Sequence, residues 1–387
     1  MGVPRMPAPT GAPLTEVVAQ WGRIGCIGFG GPPAHISLLR ELCVERKRWM
    51  RERDFEDAVA ACNLLPGPAS TQLAIFCAWR VAGPVGAVVG GAAFIVPGLV
   101  FIIGLAIVFL AGSPPNWVQG AGAGAGAAVA AVAVHTGASL ASASWARSPS
   151  HWRWIAYAAL GGAAAATAGP WLVLVLLGCG AIESGLRQPR HDGEMGMHLG
   201  PVLVAAATAT GGLLALAWVA IKVGALSYGG GFVIIPLMQS DAVHTYHWMT
   251  DAQFLDAVAL GQVTPGPVVQ TVAAVGYAAA GIGGALLAAF VAFSPSFAFV
   301  LVGAKRFDRI RQDPRVRAFL DGSGPASVGA IIGTAIPLAL ALDEAWQLGV
   351  LGAAAVALLV LRRGVVLTLL LAAAAGIIAS QVGAAIP

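Results

Sequence analysis

The chain has 387 residues, of which 58% are hydrophobic and only 10% are charged, and its mean hydropathy is +0.80. Because a soluble domain usually carries about 25% charged residues, this composition excludes a water-soluble globular protein and predicts an all-α integral membrane protein. The net charge of +4 does not indicate a nucleic-acid partner. The basic residues lie in short segments between apolar stretches, as expected of a protein whose surroundings are a lipid bilayer.

The chain begins with a Pro-rich segment, residues 1–13, which we predict to be a disordered leader. A first repeat then covers 14–186, a polar linker 187–198, and a second repeat 199–387. Each repeat starts with an apolar segment that ends in a glycine cluster, continues through a polar stretch and reaches a segment broken by Pro-Gly-Pro. Four further apolar segments complete each repeat, near 84–111, 117–141, 152–168 and 170–185 in the first and near 283–304, 322–342, 345–361 and 365–384 in the second.

A shift of 199 positions relates the two repeats and aligns 23–94 with 222–293 without a gap. The identical positions include uncommon residues, which shared apolar composition does not explain. We therefore interpret the halves as an internal repeat. Among the matches, Trp49-Met50 falls on Trp248-Met249, Pro66-Gly67-Pro68 on Pro265-Gly266-Pro267, and Phe94 on Phe293.

The basic residues predict that the repeats have inverted topology. Six Lys or Arg residues lie in 40–53 and none in the equivalent 239–251, whereas the basic segment of the second half is 305–317. Placing all basic segments in the cytoplasm inverts one half and requires 56–82 and 251–281 to be re-entrant hairpins. The prediction is about five transmembrane helices and one Pro-Gly-Pro-broken hairpin per repeat, with the N-terminus outside. A continuous span kinked at proline is the alternative to each hairpin.

The Pro-Gly-Pro breaks are candidate anion sites. Proline cannot donate a backbone hydrogen bond and disfavours helix in the preceding residue, so each break should end one helix and start another. The restarting helix points its first amides, at the positive end of the helix dipole, into the break. The alternative is a simple kink with hydroxyls bonded to their own helix. The predicted substrate-binding residues here are Asn63, Pro66, Gly67, Pro68, Ser70, Thr71 and Gln72, and Gln262, Thr264, Pro265, Gly266, Pro267, Gln270 and Thr271.

Two cations lie at equivalent positions in the first apolar segments of the repeats, 14–30 and 201–230. A cation within a membrane indicates function, and Arg23 and Lys222 could together offset the charge of a dianion. Snorkelling to an interface is the alternative explanation. The glycine clusters that end these segments complete the predicted substrate site: Gly30, Gly31, Gly229 and Gly230.

Three titratable residues are candidates for coupling transport to protons. Asp57 and Asp256 are equivalent residues near the start of the hairpin helices, where helix capping or stabilisation of the helix dipole is the favoured role and proton coupling is the alternative. His35 ordinarily titrates near neutral pH, and Ile234 replaces it in the second repeat. We predict no metal site and no cofactor. Because no motif of a zinc enzyme or of a catalytic triad occurs, we predict that the chain is not an enzyme.

Four segments resemble the signatures of the chromate ion transporter family, in its long-chain, two-domain type. They are Phe29–Ile36, Leu65–Ala74, Tyr228–Gly231 and Gly261–Pro267. Asn63 departs from the pattern, in which glutamine is expected. The resemblance implies a multi-pass protein of the bacterial inner membrane that exports chromate, confers chromate resistance, depends on the energised membrane and binds sulfate as a competitor.

The predicted function is a secondary transporter that exports chromate by alternating access, driven by the membrane potential or the proton motive force. A potential of 100 mV contributes about 2.3 kcal/mol per charge, so voltage alone would suffice to drive out a dianion. The alternatives are sulfate or oxyanion uptake, an anion channel and, less favoured, an intramembrane enzyme. The oligomeric state stays open, with a homodimer as one option.

Overall fold

A computed structural model describes residues 11–62, 67–110, 112, 114–167, 172–187, 212–227, 232–303 and 313–386. These ranges are helical and contain no strand, which confirms the all-α prediction. Several predicted features lie outside the described residues. They are most of the leader, most of the 187–198 linker, and the site residues Asn63, Pro66, Gly229 and Gly230.

The helices of the first repeat are α1 (Leu14–Ile27), α2 (Pro32–Arg40), α3 (Glu52–Cys62), α4 (Ala69–Phe109), α5 (Asn116–Arg147), α6 (His151–Thr167) and α7 (Leu172–Arg187). Those described in the second are α8 (Gly212–Leu226), α9 (Ile235–Gln239), α10 (Asp251–Val263), α11 (Thr271–Gly303), α12 (Pro314–Gly333), α13 (Ala335–Leu340), α14 (Ala345–Ala355) and α15 (Val365–Gln381). Short π-helical turns extend α2 (Glu41–Arg46), α9 (Ser240–Thr245) and α14 (Val356–Val360), and 3-10 turns precede α9 (Phe232–Ile234) and α11 (Val268–Gln270).

The helices have the length and composition of membrane spans. Four stretches are long and apolar enough to cross a bilayer: 69–109, 116–146, 268–303 and 314–340. Large apolar side chains such as Leu214 (80% exposed) and Phe290 (76% exposed) point away from the protein. In water such exposure would be costly, but towards lipid it is favourable. The composition and these helices together identify a multi-pass membrane protein.

Helix α4 is folded back on itself and is not one long rod. Ala82 and Gly83 leave the helical conformation, and Gly83 has a φ of 66°. A Cβ atom added to Gly90 would lie 2.5 Å from the Ala78 Cβ atom, although twelve residues of straight helix would separate them by about 18 Å. Residues 69–81 (α4a) and 84–109 (α4b) therefore form an antiparallel helical hairpin.

The second repeat contains the same hairpin, with its turn at Ala280 and Gly281, whose φ is 62°. Gly276 lies against Gly284, where an added Cβ atom would come 2.5 Å from the Gly284 carbonyl oxygen. Residues 271–279 (α11a) and 282–303 (α11b) are its two arms. The corresponding turns in the two repeats thus have the same backbone conformation.

The turns show that the repeats do not align without a gap. Gly83 and Gly281 differ by 198 positions, whereas Gly67 and Gly266, which both have a positive φ, differ by 199. Helix α4a begins directly as α-helix, but α11a follows three 3-10 residues. The rise per residue is about 2.0 Å in a 3-10 helix and about 1.5 Å in an α-helix. Three 3-10 residues therefore span the same length as four α-helical residues.

The predicted pairing of Phe94 with Phe293 is therefore wrong by one residue. Gly25 packs on the Phe94 carbonyl oxygen, at 2.5 Å from an added Cβ atom, and the equivalent Gly224 packs on the Ala292 carbonyl oxygen, at 1.9 Å. Beyond the breaks, a shift of 198 relates the two repeats. Periodic apolar sequence hides a one-residue slip of this kind, because small residues match in either register.

Helix α1 is shorter than the span predicted for 14–30. Helix α1 has 14 residues, a length of about 21 Å, against about 30 Å for the hydrocarbon core. Glu16 at its start pairs with Lys47 at 2.5 Å, just beyond the π-helical end of α2. Gly30 and Gly31, both with positive φ, turn the chain between these helices. The prediction that the chain start and the basic segment 40–53 lie on opposite sides is thus wrong.

The two repeats interlock through small residues. Helix α12 of the second repeat packs against α6 and α7 of the first, and α5 of the first packs against α14 and α15 of the second. A Cβ atom added to Gly329 would come 1.8 Å from the Ala158 carbonyl oxygen, and one added to Gly376 would come 1.9 Å from the Gly120 carbonyl oxygen. Such close backbone approach is how membrane helices pack.

Candidate functional site

The first Pro-Gly-Pro break is enclosed by the second repeat. Gly67 has a φ of 114°, a conformation that favours glycine. An added Cβ atom would come 2.6 Å from Gln72 Nε2, 3.2 Å from the Gly224 carbonyl oxygen and 3.5 Å from Ser296 Oγ. Gly224 lies on α8 and Ser296 on α11b. The break thus needs glycine at this position, because the φ angle is positive and because the neighbouring atoms leave little space for a side chain.

The second break is enclosed by the first repeat in the same way. Gly266 has a φ of 99°, and its amide donates to the Gly28 carbonyl oxygen at 3.0 Å. The Gln270 Nε2 atom donates to the Ile95 carbonyl oxygen at 2.8 Å. A Cβ atom added to Gly98 of α4b would come 2.1 Å from the Pro265 carbonyl oxygen. Each break therefore packs against helices and turns of the other repeat.

The helices that flank a break meet close to it. A Cβ atom added to Gly261, near the end of α10, would come 2.0 Å from Thr271 Oγ1. In one continuous helix these residues would be about 15 Å apart. Pro68 and Pro267 occupy the N-cap positions, with extended backbone, directly before the restarting helices. The prolines therefore end one helix and start another, as their chemistry predicts.

Polar side chains with unmade hydrogen bonds gather at the two breaks. Within the described residues, the buried atoms without a hydrogen-bond partner include Thr71 Oγ1, Gln262 Nε2, Gln270 Oε1 and Ser296 Oγ in or beside the breaks, and also His35 Nδ1 and Ser227 Oγ. Leaving a buried polar atom unpaired costs about 1–3 kcal/mol. Four of these atoms, on Thr71, Gln262, Gln270 and Ser296, belong to residues in or beside the breaks, and such unpaired groups indicate a site that a polar ligand would satisfy.

Other predicted side chains satisfy themselves locally. The hydroxyl of Thr264 donates to the Gly261 carbonyl oxygen at 3.3 Å, and that of Thr271 to the Val268 carbonyl oxygen at 2.8 Å. Ser70 and Gln72 are buried beside the first break. The alternative of hydroxyls bonded to their own helix thus holds for the two threonines of the second repeat but not for Thr71.

Sequence reasoning missed Ser227 and Ser296. Ser227 lies two residues before the second glycine cluster, and Ser296 corresponds to Gly98 when the shift of 198 is used. With the ungapped shift of 199, Ser296 pairs with Pro97 and shows no relation to the breaks. A small residue facing the opposite break in both repeats is the signal that could have identified it.

Gly31 and His35 also lie at the second break. An added Cβ atom on Gly31 would come 3.8 Å from Val268 Cγ2. The His35 Nε2 atom lies 2.9 Å from the Gly28 carbonyl oxygen, the same atom that accepts the Gly266 amide. His35 is fully buried on α2. Its imidazole therefore supports the backbone of the break.

The two predicted cations have different surroundings. The Lys222 ammonium group forms an ion pair with Asp241 and lies 5.6 Å above the Trp218 ring. Arg23 is exposed and, with Arg46 and Glu41, lines a surface pocket of about 80 Å³. No hydrogen bond or ion pair joins either cation to a described residue of the breaks. The structure does not bring their charges together at one site.

We expect Asp241→Ala to destabilise the protein by about 3 kcal/mol, because the Lys222 side chain, only 17% exposed, would lose its partner. The double variant Lys222→Met/Asp241→Leu should lose less than about 1 kcal/mol, since it removes both charges. Unfolding of the purified protein in detergent measures these differences. Arg23→Met, at the equivalent exposed position, serves as the control and should change stability by less than about 0.5 kcal/mol. Equal losses in the single and double variants would refute the ion-pair role of Lys222.

The capping role predicted for Asp256 is wrong. The N-cap of α10 is Thr250, whose Oγ1 atom accepts from the Gln253 amide at 3.2 Å in a capping box. Asp256 lies six residues beyond this cap, against α5. A Cβ atom added to Gly122 would come 2.7 Å from both of its carboxyl oxygens. Asp57 is half-buried at the equivalent position of α3.

A charged cluster outside the breaks was not found from the sequence. Glu183 on α7 is 2% exposed and accepts hydrogen bonds from Arg153 at 3.1 Å, Tyr157 at 3.0 Å and Arg187 at 2.8 Å. Arg187 also pairs with Asp321 of α12 at 2.7 Å. An acidic residue inside the apolar segment 170–185 was the available signal. Among the described residues, no group of three or more His, Cys, Asp or Glu side chains could hold a metal ion.

The chain was compared with known protein families and curated proteins. The chromate transporter family model matches residues 15–183 and 214–377. The chain belongs to the chromate transporter family. It is 32% identical over 339 residues to the chromate transport protein of Cupriavidus metallidurans, covering 84% of this chain and 82% of that protein. It is 29% identical over 361 residues to the chromate transport protein of Pseudomonas aeruginosa, covering 88% and 84% of the two chains.

Membership of the chromate transporter family agrees with the resemblance seen in the four signature segments. A probable chromate transport protein of Synechococcus elongatus is 28% identical over 360 residues, covering 87% of this chain and 91% of that protein. The family and these relatives are transporters and not enzymes, which confirms the prediction made from the missing catalytic motifs. No solved structure matches the chain.

Proposed function

We propose that this member of the chromate transporter family exports chromate across the bacterial inner membrane by alternating access, with the anion bound between the two Pro-Gly-Pro breaks. The observation that carries the proposal is the set of unpartnered buried polar atoms at the breaks, which include Thr71 Oγ1, Gln262 Nε2 and Ser296 Oγ. Family membership supports chromate as the substrate. Sulfate, also a tetrahedral dianion, is expected to compete.

The chemistry of the breaks fits a dianion with four acceptor oxygens. Hydroxyl and amide groups donate from Thr71, Gln262 and Ser296, and the first amides of the restarting helices add donors at the positive ends of two dipoles. The carboxylate of Asp241 is paired with Lys222. A hydrogen bond to a charged acceptor contributes about 1.5–3 kcal/mol, so a few donors suffice for binding.

Contacts at the helix ends support the inverted topology. The Gly11 amide donates to the Val81 carbonyl oxygen at 3.2 Å, so the turn of the α4 hairpin lies beside the start of α1 and the basic segment. If α4b, α5, α6 and α7 each cross in turn, Arg187 returns to this basic face. Its ion pair with Asp321 then brings the start of α12 there. Helix α11b must end on the same face, and the α11 turn lies on the opposite one.

The same contacts support the re-entrant hairpins. Helix α3 leaves the basic face and α4a returns to it, so the first break lies between them inside the protein. In the second repeat α10 and α11a make the equivalent excursion from the opposite face. Two hairpins that enter from opposite sides and meet at the repeat interface are the arrangement of many secondary transporters.

Close packing at the breaks supports a mechanism in which the two repeats move relative to each other. An added Cβ atom would come 2.6 Å from a neighbouring heavy atom at Gly67, 2.1 Å at Gly98 and 3.1 Å at Gly266, so an anion would reach the buried donors only when the repeats separate there. Rocking of one repeat against the other would open the site to one side at a time. The membrane potential, worth about 4.6 kcal/mol per dianion at 100 mV, or a proton gradient would drive export.

The test compares two threonines whose hydroxyls differ in partner. We expect Thr71→Val and Gln262→Leu each to weaken chromate binding by about tenfold or more, because each removes a donor to a charged ligand. Thr271→Val, whose hydroxyl already bonds to Val268, should change binding by less than about threefold. Chromate and sulfate binding to purified protein, and chromate uptake by everted membrane vesicles, measure the effects.

Equal effects at Thr71 and Thr271 would refute the proposed site. Export predicts that everted vesicles, whose lumen corresponds to the outside, accumulate chromate when energised. If only right-side-out vesicles accumulate it, the protein is an uptake transporter. If flux in both directions follows the electrochemical gradient without a saturable site, it is an anion channel.

A further inference from the structure

Asp256 is an acid without a partner at the contact between the two repeats. Its carboxyl group lies over Gly122 of α5 in the first repeat, and a Cβ atom added to Gly126 would come 3.5 Å from its Oδ1 atom. Within the described residues, Asp256 forms no hydrogen bond or ion pair. By contrast, Asp241 is paired with Lys222, and Glu183 is paired with Arg153 and Arg187. An ionised carboxylate left in this position would lose its hydration without compensation.

Within the described residues, no cation on the elements packed against α10 forms an ion pair with Asp256. Helix α15 and residues 116–134 of α5 contain no titratable residue. Arg147 lies at the far end of α5, about 37 Å along the helix from Gly122. The other titratable groups on the packed elements, none of which bonds to Asp256, are Cys77 and Arg80 on α4, His135 on α5, Asp241 and His244 on the π-helical turn, Asp251 on α10 and Tyr277 on α11.

The position of Asp256 connects it to the second break. Helix α10 leads directly into Thr264 and Pro265, and Gln262, with its unpartnered amide nitrogen, is six residues further on, about 9 Å along the helix. A neutral carboxyl group can rest on the bare backbone at Gly122. An ionised carboxylate there would need hydration, and water can reach it only if α10 and α5 move apart. Ionisation of Asp256 therefore favours separation of α10 from α5. Movement of α10 carries the break with it.

We propose that Asp256 is the proton-binding site that couples chromate export to proton entry. This inference rests on the proposed function and identifies its coupling ion. Asp256 binds a proton from the outer side, towards which the start of α10 faces in the inverted topology, and releases it to the cytoplasmic side after the repeats rock. The proton that is bound is the proton released, and no bond other than its O–H bond forms or breaks.

The test uses the full-length protein in liposomes, oriented by a one-sided inhibitor or label, with the membrane potential clamped at zero by valinomycin and equal potassium. We expect a pH gradient of about one unit, acidic on the outer side, to raise chromate accumulation on that side about tenfold per coupled proton. In Asp256→Asn the stimulation should disappear while chromate still binds. The equivalent variant in the first repeat, Asp57→Asn, should retain the stimulation.

A wild-type protein whose chromate flux responds to voltage but not to the pH gradient would overturn the inference and leave the proposed function intact. An Asp256→Asn variant that keeps the stimulation would also overturn it. Infrared spectroscopy provides a second measurement that needs no transport. The wild type should show the carbonyl band of a protonated carboxyl group at neutral pH, and Asp256→Asn should lack it. A spectrum without this band in the wild type would overturn the inference even if chromate transport itself were absent.

Discussion

Replacing Gly98 by alanine is expected to lower chromate transport by about tenfold or more. The added Cβ atom would come 2.1 Å from the Pro265 carbonyl oxygen and 2.4 Å from Gln270 Oε1. The first of these is backbone and cannot rotate away, so the second break must shift from α4b. Overpacking of this kind costs about 1–3 kcal/mol, and the shift misplaces Gln270 and the amides beside it. Initial rates of chromate uptake into everted vesicles measure the effect.

Gly104 provides a matched control on the same helix. No heavy atom lies within 4 Å of a Cβ atom added there, and alanine is the better helix former by up to about 1 kcal/mol. Gly104→Ala should therefore transport at the wild-type rate and reach the same level in the membrane. Similar rates for Gly98→Ala and Gly104→Ala would show that contact between α4b and the second break has no part in transport.

The second large effect is expected on stability, from Glu183→Ala. The substitution removes the acceptor of Arg153, Tyr157 and Arg187 at once. Glu183 itself is 2% exposed, but the two arginines are 24% and 31% exposed and regain some hydration. We expect a loss of about 3 kcal/mol, the lower end of the range for breaking a buried pair. Equilibrium unfolding in detergent, followed by tryptophan fluorescence, measures it.

Glu52 is the control for this prediction. It also pairs with an arginine, Arg40, but its side chain is 57% exposed and that of Arg40 is 44% exposed. Solvent screens such a pair, so Glu52→Ala should cost less than about 1 kcal/mol. If both variants lose the same stability, the cluster between α6, α7 and α12 does not hold the two repeats together.

The helix breaks were predictable from the sequence because their cause is local. A proline removes an amide donor and restricts its neighbour wherever it stands, and two prolines around Gly67 or Gly266 leave the backbone no helical solution. The positive φ angles of both glycines agree with this. The four signature segments likewise predicted the family, which the comparisons confirm.

The path of α1 was not predictable from the same local rules. Its apolar residues, 14–30, have the composition of a span, and hydropathy does not tell a crossing helix from one arm of a hairpin. The ion pair between Glu16 and Lys47 indicates that α1 is one arm of a hairpin, because it joins the start of α1 to the segment that follows α2. That pair joins residues 31 positions apart, and its formation depends on how the turn at Gly30 and Gly31 packs.

The chain's own residues determined that it is a helical membrane protein, that it is built of two related halves, and where each half breaks its helix. These properties follow from composition, repetition and the covalent restriction of proline, all of which act along the chain. Only the tertiary structure decided which groups meet: Gly98 with the second break, Ser296 with the first, Lys222 with Asp241, and Asp256 with Gly122. Such pairings depend on the register of helices distant in sequence, and in this chain a single residue of slip is enough to change them.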